Sequence, residues 1–322
     1  MLLIITNSKD ATADYLTEVL HRSGIAFVRF DTDKSLEGAV LEYAANTPRL
    51  ALGGALYTPD LFDHVWYRRP ERLKLPQAAD APESKFLADE WSEALEGYFA
   101  HIPQAKWMNH PAYEAGAAHK LEQLSRAKGL GFRVPATLVT QNPDEARRFY
   151  RLHGGWLVVK PLARGHVEKG GPGLDTVIFT NRVRAEDLED CDELARCPTL
   201  FQEEIHKRLD VRITVVDSDI HAVGLSAPDS DGRQRCDIRR NNMDDVAYTP
   251  LALPTSVEGC IRSLMQSYNL RFSAIDMAVT EDGQWVFFEI NPNGQWAWTD
   301  LEGVTNIAAS FAKSFNRRPS SD

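Results

Sequence analysis

Little in this chain of 322 residues can staple or anchor it. Its four cysteines, Cys191, Cys197, Cys236 and Cys260, show no C-x-x-C spacing. A zinc ribbon or a disulfide framework is therefore excluded as the organising principle. No apolar run approaches the roughly 20 residues that a bilayer demands, and no basic segment with a small-residue cleavage site precedes the first apolar run. The expected setting is cytoplasmic, with no membrane. A net charge of -10 without a basic stripe argues for no nucleic-acid partner. The pattern G-x-x-x-x-G-K-[ST] is absent, which excludes a Walker-type phosphate loop, and no G-x-G-x-x-G follows the first strand, which weakens a dinucleotide reading. What remains is a 43% hydrophobic, 25% charged chain, of ordinary globular composition and long enough for two or three packed lobes.

Three stretches differ in texture. In residues 1–111, strands at 2–6, 26–30 and 65–69 alternate with helical patterns at 13–22 and after Pro82, where Leu87, Trp91, Ala94 and Tyr98 recur at helical spacing. That alternation predicts an open α/β domain with a largely parallel sheet. In residues 112–198, Ala117, Leu121 and Leu124 make a helical stripe ended by Gly129 and Gly131. Strands at 156–160 and 176–180 follow, separated by a charged, glycine-rich stretch at 163–173 that reads as a mobile surface loop. In residues 199–322, strands are expected at 199–204, 211–216, 220–226, 273–280 and 285–290, with one helix at 257–268. The fold class is α/β, with α+β character in the second and third units.

The last two strands meet at Asp282 and Gly283, a strong two-residue hairpin signal. Pairing Glu281 with Gln284 and counting outward joins Val279 to Val286, Met277 to Phe288 and Ile275 to Ile290, an apolar face throughout. The same count sets Asp276 opposite Glu289, with Asn291 one step further along. Two facing carboxylates repel unless one is protonated or a cation lies between them. Oxygen ligands with an amide beside them suit Mg²⁺ or Mn²⁺ better than zinc. An isolated pattern of this kind serves equally well as a solvated sheet face.

Without a phosphate loop, phosphates must be held by separated cations and a metal. The candidates are Lys120, Lys160, Arg212, Arg239 and Arg240. Lys160 closes an apolar run and precedes Pro161, so its stem should be buried. Gln202, Glu203, Glu204 and Ile205 follow a strand and could offer main-chain groups to an adenine ring.

Taken in order, Lys120, Lys160 with its glycine-rich loop, residues 202–205, Asp210-Val211-Arg212, Asp237-Ile238-Arg239-Arg240-Asn241, Asp276 and Glu289-Ile290-Asn291 resemble the ATP-grasp superfamily. The run Val65-Trp66-Tyr67-Arg68-Arg69-Pro70, with Lys120-Leu121-Glu122-Gln123-Leu124, Val134-Pro135-Ala136-Thr137 and the tryptophan-bearing end at Asn293-Gly294-Gln295-Trp296, narrows this. The whole chain resembles the graspetide maturases, microviridin-type ligases that macrocyclise ribosomal precursor peptides. The resemblance implies an ATP-grasp fold: an N-terminal pre-ATP-grasp domain (1–111), a central lid domain (112–198) and a C-terminal antiparallel-sheet catalytic domain (199–322).

It also implies ATP and two Mg²⁺ ions, or Mn²⁺, as cofactors. Glu289 would bridge the metals, with Asp276 and Asn291 each favouring one. Lys120, Lys160, Glu203, Glu204, Ile205, Asp210 and Asn241 would hold the nucleotide, with Asp210 at the ribose. Arg212, Arg239 and Arg240 would form the catalytic set at the γ-phosphate and acyl phosphate, where a planar bidentate donor suits best. Arg68 and Arg69 would hold the acidic core peptide. The leader would dock on a hairpin at 176–184 and an acidic helix at 186–194, through Glu189, Asp190, Asp192 and Glu193. A homodimer fits a superfamily in which dimers are common. Two rivals remain: an ATP-grasp ligase acting on a free amino acid or a protein tail, and a nucleotide-binding protein that has lost catalysis.

Overall fold

A computed structural model describes residues 1–34, 36, 38–71, 73, 81–163, 165–167, 176–189, 191–240 and 243–317. Asn241, Asp190 and much of the expected loop, Arg164 and 168–173, lie outside them.

From the N-terminus run β1 (Leu2–Thr6), α1 (Ala11–Arg22), β2 (Phe27–Asp31), a meander of β3 (Val40–Ala44), β4 (Thr47–Leu52) and β5 (Ala55–Tyr57), then β6 (His64–Tyr67) and α2 (Ala81–Phe99). The expected parallel sheet is present in the order β2–β1–β6. β1 is buried at every position because both faces of the sheet are covered, Leu2 and Ile4 entering one core and Leu3 and Ile5 another. α1 begins where Asp10 accepts from the Thr12 and Ala13 amides, and it buries Ala13, Leu16 and Leu20. The meander had no counterpart in the sequence reading.

Next come α3 (Pro111–Ala117), α4 (Lys120–Gly129), β7 (Thr137–Thr140), α5 (Pro143–Leu152), β8 (Leu157–Lys160), β9 (His166–Val167), β10 (Thr176–Val177), β11 (Asn181–Arg182) and β12 (Thr199–Glu203). The helical stripe through Ala117, Leu121 and Leu124 is broken: Ala117 ends α3, and Leu121 is 46% exposed on α4. The buried face of α4 is instead Gln123, Leu124 and Ala127. β12 pairs with β7 and β8 in the sheet β11–β8–β12–β7. That sheet therefore crosses the expected boundary at 198/199.

The last part holds β13 (Lys207–Val216), β14 (Asp219–Ser226), β15 (Ala247–Pro250), α6 (Thr255–Ser267), β16 (Phe272–Thr280), β17 (Trp285–Asn291), α7 (Ala297–Leu301) and α8 (Ile307–Phe315). Five strands form an antiparallel sheet, β15–β14–β13–β16–β17. Its period-two alternation sends Val211, Ile213, Val215, Ile275, Met277 and Val279 into a core shared with Leu124, Ala127, Ile261 and Leu264 of α4 and α6. The opposite face carries Arg212, Asp276 and Glu289.

The β16–β17 register corrects the expected count. Asp276 faces Glu289 and Ile275 faces Ile290, as predicted, but Met277 faces Phe287 and Val279 faces Trp285. Two irregularities offset each other. The turn is three residues long: the Thr280 amide donates to the Gln284 carbonyl at 2.9 Å, and Gly283 sits at φ 82°. This left-handed third position favours glycine and shifts the register by one. A bulge at Phe288 shifts it back. Phe287, not Phe288, is the core residue, fully buried.

α8 and α7 return to the first sheet. Trp296 and Phe311 share a core with Leu2, Ile4, Leu16 and Trp66, and the two rings stack at 5.1 Å. Among the described residues no helix is long and apolar enough to cross a membrane.

Candidate active site

Three adjacent strands put one charged residue each in a single row. Arg212 of β13 pairs with Asp276 of β16, which pairs with Glu289 of β17. Arg212 donates from Nη1 to Asp276 Oδ1 at 2.6 Å and from Nη2 to the Gln295 carbonyl at 3.0 Å. Lys120, at the start of α4, reaches Glu289 Oε2 at 3.1 Å and the Pro161 carbonyl at 3.4 Å. Both carboxylates lie deep in the molecule yet stay open to the cleft, with side chains 39% and 31% exposed.

The two carboxyl groups titrate in opposite directions. Burial pushes Asp276 up, with Glu289 adding to it and Arg212 opposing. Burial also acts on Glu289, but Lys120, Lys160 and Arg212 more than offset it and hold that group below its usual range. Burial lowers Lys160 to about 8 despite the neighbouring Glu289. Its amine lies 5.5 Å from the Phe288 ring, which the bulge has turned onto this face. Lys207 lies over the same ring at 6.0 Å.

The donor set fits a hard divalent cation. Among the described residues no group of three His, Cys, Asp or Glu side chains could hold a metal. Two carboxylates plus the Asn291 amide oxygen are what this face offers, a set that suits Mg²⁺ rather than zinc. The Asn291 Oδ1 accepts from the Asn293 amide at 3.1 Å, which shapes the turn after the strand. At Gly294 a Cβ would overlap the Ala274 Cβ, so only glycine fits there.

The remaining expected residues divide. Arg239 forks onto Asp237 at 2.9 and 2.6 Å. Burial alone would raise Asp237, but Arg239 and the Thr180 amide pull it to about 2. Arg240 turns to Asn181. Asp210 accepts from Lys207 at 2.6 Å and from Gln234 at 2.8 Å. The Glu203 and Glu204 amides are taken by the carbonyls of Ala136 and Trp156, both at 2.9 Å, and the Glu204 carboxylate by Arg182 at 2.6 Å. Ile205 is buried beside them.

Arg68 is not where a peptide can reach it. It is 0% exposed and lies 3.4 Å from Asp10, the cap of α1. It donates to the Asn293 carbonyl and, at 2.7 Å, to Gln295 Oε1. A cation on the first sheet thus holds the turn that follows the candidate metal ligands. Asn109 assists by donating to the Phe272 and Pro292 carbonyls at 2.9 and 3.0 Å. Arg69 is exposed.

The acidic helix at 186–194 is two short 3-10 turns, Glu186–Leu188 and Asp192–Arg196. Beside them lies a cavity of about 1290 Å³ lined by Trp156, Arg182, Glu186, Asp187, Leu188, Glu193, Leu194 and Arg240, among others. Of the four acids expected there, Glu193 lines it, whereas Glu189 and Asp192 do not.

Residues 1–114 match the family described as MvdD pre-ATP grasp domain. The whole chain is similar in structure to macrocyclase MdnC from Microcystis aeruginosa MRC, bound with precursor peptide MdnA. The TM-score is 0.83 and the identity 27%, over 98% of this chain and 99% of that one. A RiPP-associated ATP-grasp ligase of Chryseobacterium gregarium, in complex with ADP and a leader and core peptide, gives 0.81 and 28% over 100% and 99%. This chain is an ATP-grasp ligase of the graspetide-maturase type. Macrocyclase MdnB from Microcystis aeruginosa MRC gives 0.78 and 29% over 98% of each chain. A comparison with curated proteins finds no match.

In this ligase the structure brings Lys120, Lys160, Arg212, Asp276 and Glu289 together. Phe288 and Lys207 were missed. The doubled Phe287-Phe288, which breaks strict alternation, was the available signal for the first; nothing in the sequence marked the second.

Proposed function

We propose that the chain uses ATP to activate Asp or Glu side chains of a ribosomal precursor peptide and closes them onto Ser or Thr hydroxyls or Lys amines of the same peptide. The row Arg212–Asp276–Glu289, with Lys120 and Lys160 converging on it, carries this reading. Five charges that hold one another in the cleft form a ready frame for polyphosphate and Mg²⁺. The cations turn to phosphate oxygens and the carboxylates to metal.

Glu289 would be shared by two ions, with Asp276 and Asn291 as partners; Mn²⁺ satisfies the same oxygen set. When bound, the ions neutralise the charge that builds between peptide carboxylate and γ-phosphate. A peptide carboxylate oxygen attacks the γ-phosphorus and ADP leaves. The hydroxyl or amine then attacks the acyl carbon, losing its proton, and phosphate leaves. Each bond removes one water from the peptide. Arg212 and Arg239 steady the transferred group, with Arg240 beside them. Ile205 faces the adenine edge, and Phe288 offers its ring to the nucleotide cleft. Arg69 remains as the cation for an acidic core. The leader takes the 1290 Å³ cavity, where Glu186, Asp187 and Glu193 meet a basic residue and exposed Trp156 meets an apolar side chain.

Hydroxylamine added with ATP, Mg²⁺ and an acidic precursor should trap hydroxamates on Asp or Glu. ADP release without any trapped or cross-linked peptide overturns the reading. A product heavier by one amino acid favours the rival that extends a free amino acid or a protein tail.

A further inference from the structure

β17 is an outer strand of its sheet, so one row of its backbone groups faces away from β16. Near the turn this row is met by Arg133, whose carbonyl accepts from the Phe287 amide at 2.9 Å. Beyond the Phe288 bulge no strand continues along this edge among the described residues. There a side chain takes over. Gln123 of α4 accepts from the Ile290 amide at 3.2 Å and donates to the Ile290 carbonyl at 2.9 Å. Its second amide hydrogen goes to the Ala117 carbonyl, at the end of α3, at 2.6 Å. Gln123 is 3% exposed and Ile290 2% exposed, so water cannot stand in for either partner.

Ile290 stands between Glu289 and Asn291. We infer that Gln123 is a positioning residue: its carboxamide acts as the missing outer strand for Ile290 and fixes the spacing of the oxygens that Glu289 and Asn291 turn toward Mg²⁺. This inference rests on the metal reading above. One turn earlier on the same helix, Lys120 holds Glu289 itself at 3.1 Å. α4 thus grips the strand twice, at the side chain of one ligand and at the backbone between the two. A side chain that lacks the amide leaves two backbone groups of Ile290 buried and unpartnered. The strand end then shifts to find other partners, and both ligands shift with it.

The test is Mn²⁺ uptake in the presence of ADP, followed by the paramagnetic signal of the free ion, with ADP binding in metal-free buffer measured in parallel. Gln123→Met keeps the bulk of the side chain and loses all three hydrogen bonds. It should weaken Mn²⁺ by roughly 10- to 100-fold, the usual effect of removing a group that orients a metal ligand, while metal-free ADP binding stays at the wild-type value. If Gln123→Met does not fold, Gln123→Glu takes its place. It keeps the size and the acceptor for the Ile290 amide but turns a carboxylate toward two carbonyls, and the same loss is expected. A folded variant with wild-type Mn²⁺ affinity overturns the inference alone. Wild-type protein that takes up no Mn²⁺ with ADP overturns the functional reading and this inference together.

Discussion

Replacing Arg68 with methionine separates a residue that holds the protein together from one that meets substrate. The change leaves Asp10, 4% exposed, without its cation, and removes donors from the Asn293 carbonyl and Gln295 Oε1. Breaking a buried pair from one side costs about 3–5 kcal/mol. Asp10 keeps other partners, since Thr6 donates to it at 2.8 Å and it caps α1, so the low end applies. Unfolding entropy near 2.1 cal/mol/K per residue gives roughly 0.7 kcal/mol per degree for a chain of this size, and hence a Tm lower by about 4 °C. The turn that carries the ligands also loosens, so the Mg²⁺ concentration for half-maximal turnover should rise. Thermal unfolding and a magnesium titration of activity check both. A Tm within about 1 °C of wild type, with only the KM for peptide raised, would return Arg68 to the substrate.

Glu289→Gln or Asp276→Asn should abolish turnover while leader binding, measured by calorimetry, stays near wild type; surviving turnover at ordinary magnesium removes them from the metal site. Glu114, which burial raises to about 9, is neutral in the folded protein and ionised in the unfolded chain over the range between its usual 4.5 and that value. Its contribution to stability is fully present below 4.5 and is lost as pH rises toward 9, by at most about 1.4 kcal/mol per pH unit. Glu114→Gln should therefore gain stability over wild type as pH goes from 5.5 to 8.5, and parallel Tm curves would show that Glu114 is not a neutral buried acid. Gly294→Ala forces a methyl into Ala274 and should cost about 1–3 kcal/mol with a matching rise in magnesium requirement, read by denaturant unfolding. Reversing Glu186, Asp187 and Glu193 to lysine should weaken leader binding in a salt-dependent way; unchanged affinity places the leader elsewhere.

The fold was largely legible because its elements carry plain patterns, an unbroken apolar run at 2–5 and period-two alternation at 211–216 and 273–280. The α5 helix was missed although Asn142 and Pro143 form a usual start signal. The meander from Val40 to Tyr57 was missed because its three strands are short and mostly exposed. Asp276 opposite Glu289 was readable, but through a count that was wrong in the middle and right at the end. A local dipeptide cannot distinguish a two-residue turn from a three-residue turn whose shift a later bulge restores. Leu121 and Gln123 show a different limit. Periodicity places apolar residues inward, whereas this helix buries an amide because a strand end needs a partner. Arg68 is a third case. Its neighbours Asn293 and Gln295 lie more than two hundred positions away in the chain, and no local pattern reveals a cation that joins such distant segments.

The proposed reaction is a dehydrating ligation within one peptide. The most direct test is the intact mass of an acidic, hydroxyl- or lysine-bearing precursor after incubation with the protein, ATP and Mg²⁺, with ADP counted alongside. One water should be lost for each ADP formed, and none with Glu289→Gln. A mass gain, or ADP formed while the peptide mass stays unchanged, would contradict it.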